Sequence, residues 1–84
     1  MNPGRAKSIY TAEYKRLREL LKRSRIDADL TQAEVAERLG RPQSFVAKIE
    51  SGERRLDVVE LLQVLRKLGT DPLVFFSHFL RPRK

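Results

Sequence analysis

The sequence predicts an all-α fold, a single domain of five helices, from three observations. Apolar residues recur near a 3.6-residue period in successive stretches, and each stretch is bounded by residues suited to helix termini. No stretch alternates with period two over a useful length. The 84 residues suit one small domain near the lower end of comfortable stability, which leaves no room for a second, ligand-sensing domain. The expected layout is a flexible N-terminal arm at 1–10, carrying Pro3 and Gly4, then the domain at 11–81 and a basic tail at 82–84.

The first helix is expected over about 12–28, with Tyr14, Leu17, Leu20, Leu21 and Ala28 on its apolar face, arginines and lysines opposite, and Asp27 or Asp29 at its end. Thr31 and Glu34 form the T-x-x-E pattern of a capping box. The helix they open carries Val35, Ala36 and Leu39 on one face and stops at Gly40, a residue that accepts the left-handed C-terminal position. Pro42 opens a third helix, where its missing N–H costs little, and Ser51-Gly52 closes it. Asp57 suits the cap of a fourth helix whose stripe is expected to be Val58, Leu61, Leu62, Leu65 and Leu68, ended by Gly69. Thr70 or Asp71 with Pro72 starts a fifth, "PLVFFSHFL", which stops before Pro82.

Composition bounds function. Cysteine is absent, which excludes disulfides, thiolate catalysis and cysteine-ligated zinc. No apolar run approaches the roughly 18 residues of a membrane span, and "MNPGRAKSIY" lacks a secretory core. A cytoplasmic protein without membrane contact is expected. The net charge is +7, distributed as +6 over residues 1–26, −2 over 27–52 and +3 over 53–84. That balance favours a polyanionic partner, nucleic acid ahead of acidic membrane. His78 is the sole histidine, and Ser77 beside it points about 100° away on a helix, so the pair has no catalytic geometry. With no phosphate loop, metal-ligand cluster or carboxylate constellation, neither an enzyme nor a bound metal or cofactor is expected.

The stretch from 31 to 51 concentrates the remaining signal. Ala36 is small where two helices cross closely, Gly40 permits a tight turn, and Val46 and Ile49 lie one helical turn apart, placed to pack against Val35 and Leu39. These constraints set the third helix nearly perpendicular to the second, a helix-turn-helix. "LTQAEVAERLG" followed by "PQSFVAKIESGERR" resembles the Xre/Cro family of phage-repressor-type DNA-binding domains, over roughly residues 17–73, with Gln32, Ala36, Gly40, Val46 and Ile49 at that motif's spacing.

The resemblance implies a sequence-specific regulator of double-stranded DNA, a transcriptional repressor acting as a homodimer, whose third helix enters the major groove. Carried over, Gln43, Ser44, Ala47 and Lys48 are the base-contact candidates, and Gln32, Arg41, Arg54 and Arg55 the phosphate contacts. The chemistry suits them: an amide pairs with adenine, lysine with guanine, a hydroxyl with several edges, and a methyl with thymine. Arg25 and Glu50 stand where some family members form a structural ion pair, and Gln32 stands where it can brace Gln43. Phe45, next to core Val46, is expected to be part-exposed. Two departures from the pattern are Asp29, where a glycine is frequent, and Pro42, where a hydroxyl cap is usual.

The fifth helix is more apolar than a small monomer easily buries. Phe75, Phe76, Phe79 and Leu80 are therefore candidates for a dimer interface. The alternative is an interaction module, or an antitoxin component, that binds a partner protein through this helix. A simple lid over the core is the plainer reading.

Overall fold

The computed structural model describes residues 11–81. Five helices follow in order: α1 (Ala12–Asp27), α2 (Gln32–Leu39), α3 (Gln43–Ser51), α4 (Val58–Leu68) and α5 (Pro72–Leu80). Among the described residues there are no strands. The expected arm at 1–10 and tail at 82–84 lie outside these residues.

Local chemistry sets the boundaries. The Thr11 hydroxyl accepts from Tyr14 N at the start of α1. Capping boxes open α2 (Thr31 with Glu34) and α4 (Asp57 with Glu60), each satisfying two otherwise orphaned N–H groups. The Asp71 carboxylate caps α5 ahead of Pro72. Between α1 and α2 the chain turns through Asp29 at φ 62°, a left-handed conformation that a short polar side chain tolerates.

The core draws on every helix: Leu21 from α1, Val35 and Ala36 from α2, Phe45, Val46 and Ile49 from α3, Leu61, Val64, Leu65 and Leu68 from α4, and Phe75 from α5. Leu39 packs against it, so Val46 and Ile49 meet Val35 and Leu39 within one cluster, as their spacing anticipates.

Several residues depart from expectation. The α4 stripe excludes Val58, which is 69% exposed, and Leu62, which is half-buried outside the core cluster, and it includes Val64; Leu56, just ahead of the cap, packs against the core. Phe45 is buried, and part of its cover belongs to the interface described below. Phe75 is 1% exposed, so it fills the core and cannot contribute to an outer patch.

Candidate nucleic-acid interface

The corner between α2 and α3 is closed by backbone geometry. Gly40 takes φ 70°, and Arg41 N donates to Ala36 O at 3.0 Å, reversing the chain within three residues. Pro42 then sits at the N-cap of α3 and offers it no side-chain hydrogen bond. The start of α3 therefore receives no side-chain cap for its first N–H groups. Phe45, Val46 and Ile49 face the core, while Gln43, Ser44 and Lys48 are exposed and Ala47 is half-buried on the outward arc.

At its other end α3 is gripped from behind. Arg25 on α1 forks onto the Glu50 carboxylate, with Nε to Oε2 at 2.7 Å and Nη2 to Oε1 at 3.0 Å, and its Nη1 donates to Leu30 O. Arg18, two turns earlier on α1, donates to Glu50 O at 3.0 Å. Its guanidinium lies so close beneath Gly52 that a Cβ there would stand 2.9 Å from Cζ. Glu50 and Arg25 keep side-chain exposures of only 7% and 13%, so each charge relies on the other.

This anchor extends to the exposed edge. Gln32 Nε2 donates to Glu50 Oε1 at 2.9 Å, and Gln43 Nε2 donates to Gln32 Oε1 at 3.3 Å. A carboxylate can only accept, so Glu50 obliges Gln32 to present its NH2 group. That turns the Gln32 carbonyl toward Gln43, which must donate in turn. The relay uses one amide hydrogen of Gln43, whose exposed side chain makes no other hydrogen bond among the described residues.

A basic edge flanks the same helix. The Phe45 ring lies beneath two guanidinium groups, Arg41 at 4.1 Å and Arg54 at 4.7 Å from its centroid. Phe45 thus joins the core on one side and gains further cover from the turn before α3 and the loop after it. Both arginines also meet Glu60 on α4. Arg54 does so at 3.1 and 2.9 Å through its two terminal nitrogens, and Arg41 at 3.7 Å. The Arg54 hydrogen bonds hold the Glu60 carboxyl below the usual carboxylate range, against the opposing effect of burial. Arg54 Nη1 further donates to Arg55 O at 2.9 Å, and Arg55 itself is exposed.

Of the residues expected to act at an interface, Gln43, Ser44, Lys48 and Arg55 are thus outward-facing, and Gln32, Arg41 and Arg54 are engaged with neighbours. Sequence reasoning missed Arg18 and Glu60. Arg18 stands seven residues before Arg25, a spacing that puts both on one face of α1. Asp57-x-x-Glu60 marks a capping box, but its link to Arg54 crosses a loop and leaves no local signature.

On α5, Phe76 packs edge-to-face on Phe75 with centroids 5.5 Å apart. Phe79 is half-buried under the Arg16 guanidinium, which also donates to its carbonyl. The large apolar exposure lies instead at Leu73 (81%), Val74 (49%) and Leu80 (70%). Among the described residues no group of three potential metal ligands occurs, and no helix is long and apolar enough to cross a membrane.

Two short helices locked across a glycine turn, the second showing a polar arc to solvent, define a helix-turn-helix module. The profile of the helix-turn-helix domain family matches residues 16–74. A similar curated protein is an uncharacterized HTH-type transcriptional regulator, YqaF, from Bacillus subtilis (strain 168), 33% identical over 61 residues, covering 73% of this chain and 80% of that one. Among solved structures, an XRE-family like protein from Pseudomonas syringae pv. tomato str. DC3000 superposes with a TM-score of 0.81 at 49% identity, covering 89% of this chain and 92% of that chain. A mutant of the restriction-modification controller protein C.Esp1396I shares the fold, with a TM-score of 0.79 at 20% identity over 84% of this chain and 95% of that one. The chain belongs to the Xre-type helix-turn-helix family.

Proposed function

We propose that this chain is a sequence-specific, double-stranded DNA-binding transcriptional regulator, working in the cytoplasm as a homodimer that represses by occluding a promoter. The observation that carries this reading is the relay from Glu50 through Gln32 to Gln43. It fixes the polarity of an exposed amide at the free end of α3. An amide presenting one acceptor and one donor in a set direction matches adenine, whose N6 donates and N7 accepts in the major groove. Ser44 and Lys48 extend the polar arc, and the Ala47 methyl suits a thymine methyl. Arg55, with Arg41 and Arg54 behind it and Gln32 at the start of α2, supplies salt-dependent contact to the phosphates.

The α5 patch supports the homodimer. Leu73, Val74 and Leu80 form the exposed apolar surface of this helix. A two-fold pairing there would present two copies of α3 to half-sites about 34 Å apart. The same patch favours a second reading, in which a partner protein, such as a toxin bound by an antitoxin, covers α5 in place of a second copy.

Selection from a pool of random duplex DNA at near-physiological salt tests the proposal. An enriched, roughly palindromic site with half-sites one DNA turn apart is expected. A folded protein that enriches nothing would count against it. Leu73→Glu, followed by sedimentation equilibrium, separates dimer from monomer: the variant should be monomeric and lose the palindromic preference.

A further inference from the structure

Glu60 is an anomaly if the α3 edge meets DNA. It places a carboxylate among the arginines that flank the recognition helix, where a negative charge should repel phosphate. Its contacts suggest the opposite role. Glu60 takes the paired terminal nitrogens of Arg54 and touches Arg41, and these two guanidinium groups both lie over the Phe45 ring on α3. Arg54 in turn holds the Arg55 carbonyl, the backbone of the loop from which the exposed Arg55 projects. One carboxylate on α4 is therefore tied to the turn before α3, to the first turn of α3 and to the loop after it.

We propose that Glu60 is a positioning residue for DNA recognition. It holds Arg41 and Arg54 against Phe45, so that α3 and Arg55 meet the duplex in one register. This rests on the DNA-binding reading above and adds a residue that the reading does not require. Arg54 then acts through Arg55 and Phe45 as a brace, with most of its hydrogen-bonding capacity already used inside the protein. Freed from Glu60, its charge would reach phosphates at any sequence but would no longer fix the helix.

The sign of one substitution separates the two roles. Glu60→Gln keeps a residue that serves a capping box at that position, so α4 retains its start while the carboxylate is lost. If Glu60 only opposes DNA, removing its charge tightens binding to every duplex. If it positions the edge, Glu60→Gln weakens binding to the selected duplex about five- to tenfold, while a scrambled duplex is held as tightly or more so. Arg54→Lys supplies the independent check. It preserves charge and loses the two-pronged geometry, so electrostatics alone predicts no change, whereas bracing predicts the same selective loss.

The experiment is a titration of selected and scrambled duplexes at several salt concentrations, using full-length wild type, Glu60→Gln and Arg54→Lys, with thermal unfolding of each recorded alongside. A loss confined to the selected duplex in both variants supports the proposal. Equal or tighter binding of the selected duplex by Glu60→Gln overturns it, as does unchanged discrimination by Arg54→Lys should the first variant not fold. A wild type that discriminates between no duplexes would instead remove the DNA reading, and this inference with it.

Discussion

The two ends of α3 are built on opposite terms. The C-terminal end is fastened: Glu50 takes Arg25 and Gln32 on its carboxylate and Arg18 on its carbonyl, and Gly52 leaves room for the Arg18 guanidinium. The N-terminal tip is open: Pro42 gives no side-chain cap, and Gln43 and Ser44 are exposed ahead of the buried Phe45. A helix that reads another molecule needs both conditions. Rigidity comes from the end facing away, and unspent hydrogen-bonding capacity remains at the end facing out. The Glu50–Gln32–Gln43 relay joins the two by carrying the orientation of a buried charge to an exposed amide.

Substitutions at either end should therefore register in different measurements. The largest effect is expected for Glu50→Ala, which strands the Arg25 guanidinium and releases Gln32. A loss of about 3 kcal/mol in unfolding free energy is expected from urea titration. At the free end, Gln43→Ala should leave stability within about 0.5 kcal/mol. It should nevertheless weaken the preferred duplex by about 1–3 kcal/mol. If both variants lowered stability equally, the contrast between the ends would collapse.

Gly52→Ala probes the fastened end more gently. Its φ of 87° and the 2.9 Å approach to Arg18 Cζ oppose a side chain, though the arginine can shift. A cost of about 1–2 kcal/mol is expected, read from thermal unfolding. Pro42→Ser supplies the missing cap at the open tip and should raise stability by about 0.5–1 kcal/mol. Any accompanying change in DNA preference would show how far the uncapped start of α3 sets its register.

The smallest effect concerns pH. Arg54 depresses the Glu60 carboxyl below its ordinary value of 4.5 in the folded protein, so this group stabilises the fold above that value. The contribution disappears as pH falls through the folded value. Unfolding midpoints of wild type and Glu60→Gln should therefore converge as the solution is acidified below about pH 4.5. A gap that persisted unchanged would mean that it does not arise from the ionised carboxylate.

Much of this molecule is legible in its sequence because helix ends are settled by neighbours three or four residues away. Thr31 with Glu34, Gly40, Asp57, Gly69 and Asp71 with Pro72 all mark boundaries where the helices begin or stop. What escaped depends on distant partners. Val58 falls at a spacing that extends the α4 stripe, yet it is exposed while Leu56, ahead of the cap, packs against the core. In "PLVFFSHFL" nearly every position is apolar, so periodicity cannot tell the buried Phe75 from the exposed Leu73. Phe45 packs into the core and is also covered by Arg41 and Arg54, on either side of α3, which both meet Glu60 from another helix. The Arg25–Glu50 pair and the Gln32–Gln43 contact were legible only through resemblance to a known family, since they span 25 and 11 residues.

The central claim is that α3 reads bases with an amide whose direction is set from the opposite end of the helix. Parallel selection from random duplex DNA with wild type and Gln43→Ala tests it most directly. The account predicts an enriched site for wild type containing an adenine in each half-site, and relaxation at that position alone in the variant. Identical preferences from both proteins, or relaxation across the whole site, would contradict it.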